Sequence, residues 1–176
     1  MATARCVYHA NSAASIPLFI RGLTQLSHVL SKGESWAKEN SKAPDELLQA
    51  RLAPDMQPLR FQIHFACNSA KAVLSRVAGF EWVAEKDDET TLAQMQERLA
   101  RTVALLRTAE DKKEAFVGKE ELEVTVAIPG RELKFPALVY LQFWTVPNFF
   151  FHITTAYDIL RHLGVQIGKP DFLGAP

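Results

Sequence analysis

Histidine, cysteine and carboxylate side chains carry most of the acid–base, nucleophilic and metal-binding capacity of this chain, and His152 is the most suggestively placed of them. It follows Phe149-Phe150-Phe151 directly. In a helix beginning near Asn148, three-four spacing puts it on one face with Phe149, Ile153, Ala156, Leu160 and Leu163, so it points inward. An inward imidazole is a core histidine with satisfied nitrogens, a metal ligand or a general base, and its chemistry suits all three. A helical metal site usually sets its second ligand one turn away. Here those positions hold Ala156 and Asn148. Asp158 and His162 do have ligand spacing, but Asp158 lies roughly 120° from His152 around the helix. They read as a surface pair near a helix end.

An earlier helix offers His64, Asn68 and Lys71 at steps of four and three, a polar stripe beside an apolar one. Either it is a solvated face, or it is one wall of a ligand pocket between helices. In the second case His64 faces His152, and Phe149 joins His64, Asn68 and Lys71 as a substrate-binding residue. Tyr157 would then stand beside His152 as a catalytic acid or hydrogen-bond donor, the alternative being core packing with a polar tip. Tyr8 and His9 are placed to close over such a pocket from the amino-terminal arm. Cys67 sits on an inner face and reads as a small buried hydrophobe. The three Phe spread over about 200° of helix, so one or two should meet the hairpin or a second subunit. No P-loop, dinucleotide glycine fingerprint, Gly-x-Ser-x-Gly elbow or Cys-x-x-Cys occurs.

These residues need helices to hold them. Ile16, Phe19, Ile20, Leu23, Leu26 and Leu30 form the stripe of a helix that Ser15 caps, with Pro17 in its first turn. It runs to about Glu39, after an arm of residues 1–14. A short helix starts at Pro44. Asp55 is placed to cap a second long helix over about 56–78, with Gly79 as its stop. Thr91 with Gln94 is a capping-box pattern ahead of Leu92, Met95, Leu99, Val103 and Leu106. Glu97 and Arg101 can pair on that helix. The period then changes from helical to two: Leu122, Val124, Val126 and Ile128 alternate with polar or small residues as in a half-buried strand. Pro129-Gly130 suits a type II turn into a return strand. A lone hairpin is marginal, so this one should pack on the helices or cover a pocket mouth. Pro136 opens a helical stretch that Pro147 must break or kink. The last helix runs from Asn148 to Leu163, and the tail over 165–176 reads as irregular. The result is a single all-α domain over 1–176. Its architecture is an up-down four-helix bundle with a short β-hairpin inserted before the last helix.

Composition narrows the function classes. The 176 residues carry 20 Lys plus Arg against 20 Asp plus Glu, which disfavours nucleic acid as a partner. No stretch approaches the ~20 apolar residues that span a bilayer, so no membrane partner is expected. Cys6 and Cys67 match no zinc spacing and read as reduced thiols. The first residues lack the apolar core of a secretory signal, so the cytoplasm is the expected location, with a mitochondrial address the weaker reading.

Four segments carry a resemblance: SIPLFIRGL (15–23), LLQARLAPDMQPL (47–59), PNFFFHITTAYDILRHLGV (147–165) and GKPDFLG (168–174). They are similar to an uncharacterised bacterial and fungal family, a branch of the DinB/YfiT-like metalloenzyme superfamily of four-helix bundles. The resemblance spans nearly the whole chain, from Ser15 to Gly174. It implies a homodimer, and a divalent metal held by one histidine of the second helix and two from a His-x-x-x-His on the last. Carried over, His64 and His152 are the metal ligands, and Ala156 stands where the third would be. The expected cofactor is therefore a divalent metal or none. Two functions follow as expectations. One is a small-molecule enzyme of transferase or isomerase type, with His152 as base or sole strong ligand. The other is a non-catalytic homodimeric binding or stress-response protein.

Overall fold

The computed structural model describes residues 9–81 and 84–174. The expectations for Cys6 and Tyr8 lie outside that range, and so does the side chain of His9. The first helix, α1 (His9–Glu39), begins six residues before Ser15. Residues 9–14 are therefore helical where an arm was expected, and Ser15 and Pro17 lie inside the helix. The apolar stripe behaves as read: Ile16, Phe19, Leu23, Leu26 and Leu30 are buried. A 3₁₀ turn (Pro44–Gln49) follows.

Helix α2 (Leu59–Arg76) starts later than the pattern of Asp55 and Pro58 implies. Pro58 occupies the N-cap and no side chain caps the helix, so Asp55 does not play that part. The Leu59 N–H is given instead to the Ala50 carbonyl, at 2.9 Å. Beyond α2, Gly79 takes φ 78°, the left-handed conformation that stops a helix. Helix α3 (Leu92–Glu110) has the expected capping box between Thr91 and Gln94. Asp45 adds a second cap from the 3₁₀ turn, accepting the Leu92 N–H at 2.7 Å.

Strands β1 (Glu123–Ile128) and β2 (Arg131–Pro136) form the antiparallel hairpin, with Ile128 opposite Arg131. Gly130 at φ 80° makes the turn, and Val124 and Val126 face inward as the alternation requires. Pro147 does not break the following segment. A short α4 (Ala137–Val139) passes into a π-helical stretch (Tyr140–Thr145), which passes in turn into α5 (Val146–His162). Proline has no N–H to donate and its ring crowds the carbonyl four residues back. The backbone ahead of Pro147 widens to i→i−5 spacing, with the Val146 N–H on the Leu141 carbonyl, and the helix continues. Gly164 at φ 103° ends α5. The tail is more ordered than its Gly and Pro content implies. Val165 and Ile167 are buried, and a five-residue helix α6 (Lys169–Leu173) lies against α1, its Asp171 bonded to Lys32.

The helices form a ring in the order α1, α3, α2, α5, so α1 and α2 occupy opposite corners. This is the mostly helical bundle with one hairpin that the pattern predicts. No helix among the described residues is long and apolar enough to cross a membrane. The α1–α5 seam closes on the fully buried Phe149 ring, 4.9 Å from Phe19 and edge-on to it. That approach requires a glycine, because a Cβ on Gly22 would lie 2.5 Å from Phe149 Cε1. Gly22→Ala is expected to lower the unfolding free energy by roughly 1–3 kcal/mol through overpacking, read as a reduced urea midpoint at unchanged m-value.

Candidate functional site

The polar stripe of α2 is not a solvated face, since His64 and Lys71 are buried. It is one side of a charged network with α3 and the 84–90 loop. At its centre Arg98 is fully buried. Its guanidinium donates to both Glu89 carboxylate oxygens (3.0 and 3.1 Å), to Asp87 (2.6 Å), to the Lys86 carbonyl (3.0 Å) and to Asn68 Oδ1 (3.0 Å). His64 Nε2 lies 2.9 Å from the second Glu89 oxygen, and Lys71 pairs with Glu85. Burial, the largest single influence, would raise the Glu89 carboxyl; the Arg98 hydrogen bonds, a backbone hydrogen bond and the charges of Arg98 and His64 together hold Glu89 below its usual range. Burial is also the largest influence on His64 and pulls it down. Sequence reading missed Arg98, although a signal exists. Arg98 and Thr102 fall three residues after Met95 and Leu99, at inner-face spacing.

His152 occupies the other side of α2. Its Nδ1 is 2.7 Å from Gln62 Oε1, and the Gln62 amide nitrogen donates to the Gln57 carbonyl at 2.9 Å. That second bond fixes which end of the amide faces the histidine. Gln62 presents its oxygen, so Nδ1 carries the proton and Nε2 keeps its lone pair. Phe61, Phe65 and Phe151 collar the ring, with centroids at 6.2, 4.9 and 5.3 Å. Desolvation lowers the His152 pKa to about 4, so the ring is neutral near pH 7.

The residues read as one site are therefore dispersed. Positions 62 and 64 lie about 200° apart around a helix, so His152, bonded to Gln62, and His64, bonded to Glu89, do not converge across a pocket. Lys71 is committed to Glu85. Phe149 packs on α1 rather than on a ligand. Tyr157 also turns away from His152, donating to the Ile167 carbonyl at 3.4 Å and packing on Phe172. Cys67 is fully buried, and burial pushes its thiol up to about 11, so it is a packing residue. A three-histidine metal site does not fit these donors. Ala156 is buried at the third position, and no group of three or more His, Cys, Asp or Glu converges among the described residues.

One predicted residue, Asn68, does open on a cavity. It lies between α2, the hairpin turn and the π-helical stretch, a cleft of about 400 Å³. Phe65, Ala72, Val126, Ile128 and Trp144 supply apolar walls. The hairpin thus lines a cavity mouth as its marginal stability demands, held by Trp144 against Phe135 at 5.7 Å. Trp144, and not a ring of the Phe149–Phe151 run, makes that contact. The polar lining comes from Asn68, Ser69, Arg76, Tyr140, Thr145 and Asn148. Asn148 Nδ2 donates to Ser69 Oγ at 3.0 Å, and Arg76 donates to the Tyr140 hydroxyl at 2.9 Å. Thr145 is 1% exposed, yet its hydroxyl has no hydrogen-bond partner. The sequence signal for this cleft was Pro147, whose π-helical accommodation sets Tyr140, Trp144 and Thr145 along it.

The bundle with its inserted hairpin is that of the DinB-like proteins. The crystal structure of a DinB family member from Shewanella denitrificans aligns with a TM-score of 0.80 at 33% identity, covering 92% of this chain and 90% of that one. Residues 12–173 match the family model described as Domain of unknown function (DUF1993), and the chain belongs to that family. No curated protein matches it.

The His152 environment has a consequence for acid stability. An unfolded histidine titrates near 6.5 and this one near 4, so between those values the unfolded state holds more protons. The contribution of the neutral ring is complete above about pH 6.5 and is lost as pH falls toward 4. Urea unfolding at pH 7 and pH 4 is expected to show the wild type losing roughly 2 kcal/mol more than His152→Gln. An equal loss in both proteins would mean that the buried ring is not the proton-linked group.

Proposed function

We propose that this protein binds a small molecule in the cleft between α2, the hairpin turn and the π-helical stretch. The observation that carries the reading is the buried Thr145 hydroxyl, which has no hydrogen-bond partner and belongs to a residue lining a cleft of mixed apolar and polar walls. An unsatisfied buried polar group is destabilising, and such groups concentrate where a ligand supplies the missing partner. π-Helical turns are likewise frequent at functional sites. The cleft volume falls within the range of small-molecule pockets, and its few polar groups on apolar walls match their usual make-up.

For transferase or isomerase chemistry the available base is His152, whose free Nε2 belongs to a ring packed on Phe65, a wall of the cleft. The cleft lining itself has no carboxylate, imidazole or thiol among the described residues, so binding is the firmer reading.

The test uses the hydroxyl. Thr145→Val keeps the shape and removes the unsatisfied group, so it should raise the unfolding free energy by about 1 kcal/mol in urea titrations. A loss of stability would show that the hydroxyl is satisfied in the folded protein, and the reading would lose its support.

A homodimeric binding protein is the second reading, favoured by a different surface. Val139, Phe143, Pro147 and Phe151 recur every four residues and all are exposed, Phe143 to 74% and Phe151 to 57%. A contiguous apolar strip of this kind marks an interaction face. Sedimentation of the wild type should give a dimer, and Phe143→Ser with Phe151→Ser should give a folded monomer. A wild-type monomer at micromolar concentration would remove this reading.

A further inference from the structure

The hydrogen bonds around the cleft determine which polar atoms its side chains have left to offer, and most of these can donate, the Asn148 amide oxygen being the acceptor among them. Arg98 is a donor only, so its contact with Asn68 commits the amide oxygen and leaves the Asn68 NH₂ uncommitted at the cleft wall. Asn148 donates to Ser69 Oγ, which leaves the Ser69 hydroxyl proton available. Arg76 donates to the Tyr140 oxygen, which leaves the phenol proton available as well. The Thr145 hydroxyl has no partner, though it is buried.

The charge is just as one-sided. Among the described residues Arg76 is the only formally charged one lining the cleft, in a chain whose net charge is zero. The helix dipole accounts for a basic residue in the last turn of α2. It does not account for the Tyr140 hydroxyl and ring that hold this guanidinium beside the cavity, its carbon 5.7 Å from the ring centroid. No carboxylate among the described residues pairs with it.

Resting on the reading of the cleft given above, we infer that its ligand is a small organic monoanion. A carboxylate carried on an apolar, ring-sized body would be anchored by Arg76, with its body against Trp144 and Val126. A guanidinium matches a carboxylate in shape and charge, and the surrounding neutral donors suit its remaining lone pairs. A dianionic phosphate would bring a second charge that nothing in the cleft balances.

The probes are 3-phenylpropionate and its neutral isostere 3-phenylpropionamide, titrated at pH 7 into ¹⁵N-labelled protein while the Trp144 indole resonance is followed. The acid is expected to shift Trp144 and saturate, and to bind about tenfold tighter than the amide, the usual value of a charge-assisted contact. Arg76→Gln should bring the acid down to the level of the amide. Arg76→Lys, which keeps the charge and loses the fork, should lie between them, and both variants are checked for wild-type amide spectra. Equal binding of acid and amide, unchanged in Arg76→Gln, overturns the anion inference and leaves an apolar small-molecule cleft standing. If neither compound moves Trp144, the cleft reading fails and this inference with it.

Discussion

Arg98 carries a full charge at a point with no access to water, and such a charge is tolerable only when acceptors surround it. That requirement organises one flank of the molecule. It draws the 84–90 loop inward, because Lys86, Asp87 and Glu89 must all reach the guanidinium. It draws in α2, because Asn68 supplies the remaining oxygen. Glu89, held as a carboxylate by Arg98, then takes His64 as its second partner. Breaking such a buried pair from one side typically costs about 3–5 kcal/mol, so the network behaves as a unit. Its functional consequence is indirect. By accepting from Arg98, the Asn68 oxygen is turned from the cleft, and the side chain becomes a donor there.

The second constraint is Pro147. A proline within a long helix leaves a carbonyl unpaired and a ring in the way, and the usual result is a break. Here the preceding residues take π-helical spacing instead. In a regular helix a threonine hydroxyl commonly bonds the carbonyl one turn back; the Thr145 hydroxyl does not, and the Leu141 carbonyl there takes the Val146 N–H. The same widened stretch places Tyr140 within reach of Arg76 and Trp144 against the hairpin. The local backbone accommodation at Pro147 therefore also places Tyr140, Trp144 and Thr145 along the cleft.

These two constraints also explain what was legible in the sequence. The helices, the capping box at Thr91, the hairpin turn at Gly130 and the stop at Gly164 were readable because each depends on spacing or on a local backbone requirement. The bundle followed from them. The early start of α1, the uncapped start of α2 and the small α6 were not readable, since tertiary contacts decide them: Leu59 bonds Ala50, and Asp171 bonds Lys32. The dispersal of the candidate site residues was hidden for a similar reason. His64 and His152 have the right chemistry, but spacing along one helix does not reveal a buried arginine on another. Asn68 lines a cleft, yet the partner that takes its amide oxygen, Arg98, was not visible in the spacing.

His152 and the cleft stand in a definite relation. The ring is neutral, its tautomer is fixed by Gln62, and it lies behind the Phe collar instead of lining the cavity. Ala156, one turn on, is buried and offers no second ligand. A lone neutral imidazole can accept one hydrogen bond or one proton, but it cannot by itself fix an ion with the geometry a catalytic metal needs. The cleft beyond Phe65 has the opposite character, rich in donors and positively charged at its rim. Together they describe a bundle whose cleft is shaped less by a convergence of helices than by the hairpin and the π-helical stretch. The residues to vary first are therefore polar ones that line the cleft: Arg76, Tyr140, Thr145 and Asn148.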